Sequence, residues 1–100
     1  MATTVFIYSY QRLSEPRIDL EDDLEDFLSG AGEVTGGGVG SNGWNIDLEL
    51  RDDADVEHWV DRLAGYLRDR GMPKDTFLEI TTEGSESRRV DVFANRNRLG

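Results

Sequence analysis

Hydrophobic periods of two and of about 3.6 residues take turns along this chain, in the order strand, helix, hairpin, helix, hairpin. Thr3 to Tyr10 is rich in β-branched and aromatic residues and reads as a strand, with Val5 and Ile7 on one side and Phe6, Tyr8 and Tyr10 on the other. Both sides are apolar, which suits a central strand at least partly covered on both faces. After a polar connection containing Pro16, Asp19 is placed to cap a helix that runs to about Ser29 and stops at Gly30. Leu20, Leu24, Phe27 and Leu28 form its buried stripe. Asn42-Gly43 predicts a tight primed turn between a glycine-rich strand over 33–39 and a partner over 44–50. In the partner, Trp44, Ile46, Leu48 and Leu50 alternate with Asn45, Asp47 and Glu49, whereas the glycine-rich strand has little to pack and belongs at an edge or bulge. Asp52 or Asp53 then caps a second helix with an apolar face of Val56, Trp59, Val60, Leu63 and Leu67, closed by Gly71 and Pro73. Strands over 76–82 and 89–94, turning at Gly84, complete the pattern.

These elements predict a single α+β domain over residues 1–94, with a flexible C-terminal tail over 95–100. The expected architecture is ferredoxin-like: a βαββαβ antiparallel sheet in the order 4-1-3-2, both helices on one face, and an extra C-terminal edge strand beside strand 4. The face away from the helices then carries Phe6, Tyr8, Tyr10, Phe77 and Phe93 beside Asn45, Asp47 and Glu49. Aromatic residues aligned on an uncovered surface suit a contact site.

Charge narrows the classes of partner. The formal net charge is −10, from 21 Asp and Glu against 11 Lys and Arg, and six of the acids lie between Asp19 and Asp26 with no base among them. Glu21, Asp22, Glu25 and Asp26 lie opposite the leucine stripe, and like charges one turn apart cost a helix about 0.2–0.5 kcal/mol per pair. Such a field repels nucleic acid and anionic lipid and attracts basic proteins. Salt adaptation also yields acidic, lysine-poor proteins, and a GC-rich genome favours Arg over Lys, so composition alone leaves these origins open beside partner binding. Arg88, Arg89, Arg96 and Arg98 give the C-terminal part the opposite sign, an asymmetry that self-association could use. No apolar run approaches the roughly 20 residues of a membrane span, and the start lacks the basic residues of a secretion signal, so a cytoplasmic protein is expected.

Motifs for chemistry are sparse. The absence of Cys excludes a disulfide framework, a thiol nucleophile and Cys-based zinc sites. The run Gly36-Gly37-Gly38-Val39-Gly40 sits in a hairpin without a P-loop lysine, so it reads as an edge strand and not as a phosphate loop. Asp53, Asp55 and Glu57 have the alternate spacing of a calcium loop, but His58 and Ala64 stand where that loop needs Gly and a bidentate Glu. His58, the only His, falls almost opposite the second helix's apolar face, and no Ser-His-acid or Cys-His set can be assembled. No catalytic residue, metal site or cofactor is assigned. RNA-binding sheets pair their exposed rings with basic residues, whereas this face offers Asp47, Glu49 and Asp91.

The stretch GEVTGGGVGSNGWNIDLEL, followed by a helix and GMPKDTFLEI, resembles a pattern in small bacterial proteins, some of them similar to immunity proteins of contact-dependent growth inhibition systems. That resemblance implies a protein that binds and blocks a toxin without catalysis, and it carries over no individual residues. The expectation is thus a non-enzymatic acidic binding protein, an immunity or antitoxin factor for a basic partner such as a nuclease. Glu21, Asp22, Glu25 and Asp26 are its charged contacts, and Phe6, Tyr8, Tyr10 and Phe93 its aromatic ones. The alternative is a ligand-sensing or regulatory module that forms a homodimer through the aromatic face.

Overall fold

A computed structural model of the chain describes residues 3–13, 15–84 and 86–93. Its elements are β1 (Thr3–Ser9), α1 (Arg17–Leu28), β2 (Gly32–Gly40), β3 (Gly43–Leu50), α2 (Val56–Arg70), β4 (Phe77–Thr82) and β5 (Arg88–Asp91). The five strands form one antiparallel sheet in the order β2-β3-β1-β4-β5. From the opposite edge this reads β5-β4-β1-β3-β2, with β1 in the middle and the glycine-rich β2 at one edge.

Strict alternation in β1 and β3 gives the sheet two unlike faces. Val5, Ile7, Ile46, Leu48, Leu50, Leu78 and Ile80 point to one side and meet Leu20, Leu24 and Leu28 of α1 and Val60, Leu63 and Leu67 of α2 in a single core. Both helices therefore cover the same face. Each large aliphatic side chain buried there contributes about 1.5–3 kcal/mol of transfer free energy. Phe27 also joins the helices, with its ring 5.8 Å from Trp59 and 4.4 Å from Tyr66.

Local details depart from expectation in four places. Asp19 does not cap α1: the helix starts at Arg17, and Pro16, with φ −60°, is its N-cap with no side-chain hydrogen bond. The proline ring presets that angle, and its carbonyl accepts from Asp19 N–H at 3.1 Å, which draws Asp19 into the first turn. Asp55, not Asp52 or Asp53, caps α2 by accepting the His58 N–H at 3.2 Å. The N-cap is the residue just ahead of the first helical one, and Val56 begins the helix, which leaves Asp52 and Asp53 too far upstream to reach its first amides. Gly40 pairs with Gly43, so Ser41 and Asn42 make the hairpin turn. Neither has positive φ; Gly43 takes it instead, at 130°, and a Cβ there would come within 2.1 Å of the Ser9 carbonyl. The turn is therefore not of the primed type, and Gly43 serves the close approach of β1. Finally, β5 ends at Asp91 and Val92 turns fully into the core, so the expected strand to Ala94 is cut short. Ala94 and the tail lie outside the described residues.

Candidate functional site

The face of the sheet away from the helices brings one aromatic row together. Tyr8 pairs across the sheet with Phe77 on one side and Asn45 on the other, and Phe6 pairs with Glu79 and Asp47. Ring centroids of Phe6 and Tyr8 are 6.0 Å apart, those of Tyr8 and Phe77 5.3 Å, and those of Tyr10 and Phe77 6.1 Å. Offset rings at such spacings contribute about 0.5–1.5 kcal/mol per pair beyond the area they bury. Tyr10 lies just past the end of β1 and is 69% exposed, which makes it the open end of the row.

Charge surrounds these rings. Phe6 lies between the two carboxylate residues, Asp47 and Glu79, one strand away on either side. Asp47 is oriented by Asn45, whose Nδ2 donates to it at 2.9 Å. At the Phe77 end the Arg89 guanidinium stands 3.8 Å from the ring centroid, while its Nε donates to Asp91 at 2.8 Å. Tyr8, Tyr10, Phe77, Glu79 and Arg89 line a shallow depression of about 430 Å³. Burial pushes the Tyr8 phenol above its ordinary pKa, and Glu79, Asp47 and Tyr10 push it further in the same direction. A negative potential that keeps a phenol protonated also attracts cations.

The acids of α1 lie on the other side of the molecule, in the helix layer, so the structure does not unite the two sets of expected contacts. Nor is the acidic ridge left unused by the fold. Glu21 pairs with Arg17, and Glu25 Oε2 accepts the Val34 N–H of β2 at 2.6 Å. Asp23 and Glu15 both reach Arg70 of α2, at 2.8 and 2.6 Å. The hydrogen bonds that Arg70 donates to Glu15 are the largest cause that holds its guanidinium protonated beyond its ordinary range. Asp22 and Asp26 remain exposed, without a hydrogen bond or ion pair among the described residues.

Phe93 is placed differently from expectation. With β5 ended at Asp91, Phe93 is half-buried against the core, with Lys74 Nζ 4.8 Å from its ring, and makes no ring contact with the row. Arg96 and Arg98 lie outside the described residues. Sequence reasoning missed Glu79 and the stacking role of Arg89. The period of two in β4 carried the signal for Glu79, since Phe77, Glu79 and Thr81 must share a face.

Among the described residues no group of three or more His, Asp or Glu side chains is placed to hold a metal ion. His58 is exposed and meets the Trp59 ring edge-on at 5.7 Å. No described helix is long and apolar enough to cross a membrane. No protein-family model matches the chain, and no curated protein or solved structure matches it significantly.

Proposed function

We propose that this chain is a non-enzymatic binding domain of the ferredoxin-like type, which captures a basic protein partner on its open sheet face. The observation that carries the reading is the setting of Phe6, flanked across the sheet by Asp47 and Glu79 and continued by the rings of Tyr8 and Phe77. Ring faces attract cations, and adjacent carboxylates add charge to that attraction. Arg89 over Phe77 is an internal instance of the same contact. The net charge of −10 would draw an oppositely charged partner from a distance and speed encounter. An immunity or antitoxin factor that blocks a basic toxin in the cytoplasm is the role that best fits this chemistry. Asp22 and Asp26 then act in steering, and the intimate contact moves from α1 to the sheet.

A homodimer through the same row is the less favoured reading. Two copies placed face to face would set Asp47, Glu49 and Glu79 of each against the like charges of the other. Titration of an arginine-rich peptide, at low and at physiological salt, tests the main reading. Binding should weaken steeply with salt, and Asp47→Lys with Glu79→Lys should reduce it by about tenfold or more. Unchanged affinity in that double variant refutes the open face as the contact.

A further inference from the structure

The two halves of β2 present different edges to solvent. Near its start, Glu25 occupies the Val34 N–H, and the register with β3 shifts between Val34 and Gly36 around Thr35. Side-chain cover and bulges are two ordinary ways in which proteins keep an edge strand from pairing with another chain. From Gly36 onward no bulge interrupts the pairing, and side-chain cover is confined to the helix side of Gly37, where a Cβ would stand 2.8 Å from Arg17 Nη1 and 3.1 Å from Glu21 Oε2. Pairing is regular from Gly36 opposite Asp47 to Gly40 opposite Gly43, with no proline and no charged side chain. Among the described residues no hydrogen bond reaches 36–40 from outside the sheet. The other edge is unlike this: β5 is four residues long and pairs Arg88 with Glu57 at 2.5 Å and Arg89 with Asp91 at 2.8 Å.

The glycines also open a lane across the strand. On the open face a Cβ at Gly36 would stand 3.6 Å from Asp47 Oδ2, and one at Gly38 would stand 3.4 Å from Asn45 Oδ1. Neighbouring strands lie about 4.8 Å apart, so a Lys or Arg on a strand beyond β2 can stretch over the bare glycine to the Asp47 carboxylate. On the helix side Val39 is 67% exposed and offers an apolar contact to the alternate residues of such a strand.

We infer that an extended basic segment of the partner adds to the sheet as a sixth strand along Gly36–Gly40. Its cationic side chains cross the glycine lane to Asp47, and its apolar ones cover Val39. Main-chain hydrogen bonds supply affinity in this mode, and the side chains supply selection. The inference rests on the basic-partner reading above. A second copy of this chain is the poorer occupant, because both copies carry a net charge of −10 and Glu33 stands beside the lane.

Two probe peptides of equal charge separate strand addition from simple attraction: acetyl-Lys-Val-Lys-Val-Lys-Val-Lys-amide, and its counterpart with Pro in place of Val, which cannot donate to a ladder. At low salt the Val peptide should bind roughly tenfold tighter than the Pro peptide and slow amide exchange within 36–40. Gly36→Val closes the lane at a position without positive φ and with room for a Cβ, and a strand tolerates Val better than Gly, so the fold should persist with an unchanged or raised Tm. That variant should lose roughly tenfold in affinity for the Val peptide. Equal binding of the two peptides, or wild-type affinity in Gly36→Val, overturns strand addition and leaves the basic-partner reading standing. Failure of both peptides to bind at low salt removes both.

Discussion

The same three central strands build two surfaces of opposite composition. On the helix side, β1, β3 and β4 contribute aliphatic side chains and Trp44 to the core, most of them fully excluded from water, with the buried hydroxyls of Thr3 and Ser9 at the two ends of β1. One residue further along each strand, Phe6, Tyr8, Asn45, Asp47, Glu49 and Glu79 are half-exposed. Stability is concentrated on the first face, where close packing makes any missing volume costly. The second face carries stacked rings, which add less to stability than the core does, beside the half-exposed carboxylates of Asp47, Glu49 and Glu79. Such a division implies that changes on one face should leave the function of the other largely intact.

The largest effect should come from a truncation on the helix side. Leu48→Ala is expected to lower unfolding free energy by about 2–5 kcal/mol, read by chemical denaturation, because Leu48 is fully buried among side chains that cannot collapse into the gap. Phe6→Ala should cost less, about 1 kcal/mol, since it loses one stacked neighbour and only part of its burial, yet it should abolish the response to basic probes. A Phe6 variant as unstable as the Leu48 variant would break the division between the faces. Asp47→Asn should shift stability by no more than about 0.5 kcal/mol while weakening salt-dependent binding severalfold.

The smallest effect concerns pH. The folded state raises the Tyr8 phenol above its unfolded value near 10, so the neutral phenol is favoured by folding. The linked stability is fully present below about pH 10 and is lost as pH rises through the folded value. Ultraviolet absorbance titration should show the Tyr8 phenol, isolated by its loss in Tyr8→Phe, ionising above its unfolded value, and Glu79→Gln should bring it partway back. A Tyr8 phenol that ionises at its unfolded value, or one unmoved by Glu79→Gln, would mean that the open face lacks the negative potential ascribed to it.

How far the sequence is legible depends on the range of the interaction. The alternation from Trp44 to Leu50 and the stripe of Leu20, Leu24 and Leu28 are local patterns, and both appear in the structure on the faces they predict. Caps and turns are less readable, because the choice depends on backbone geometry, as Pro16 over Asp19 and Asp55 over Asp52 and Asp53 show. The pairings that explain the acidic helix were not readable at all. Arg70 meets Glu15 across 55 residues, and Glu25 meets a backbone amide of β2 that carries no mark in the sequence. For the site, the period of two placed Phe6 and Tyr8 on one face with Asp47, while the partners across the sheet needed the register. Phe93 departs from expectation because β5 ends at Asp91, so the alternation that would set it on the open face no longer governs it.

The guanidinium of Arg70 has a bearing on the order in which the molecule assembles. Helix α1 begins without a side-chain cap and carries a ladder of like charges, whereas α2 has Asp55 at its start and Arg68 and Arg70 in its last turn. A 12-residue helix so equipped is marginal in isolation. Arg70 grips Glu15 just ahead of α1 and Asp23 within it, so α1 is held from outside by a neighbour that can form first. Helix α1 should therefore consolidate late in folding and be the earlier of the two to open, which gives the acidic side of the molecule a measure of give that the sheet lacks.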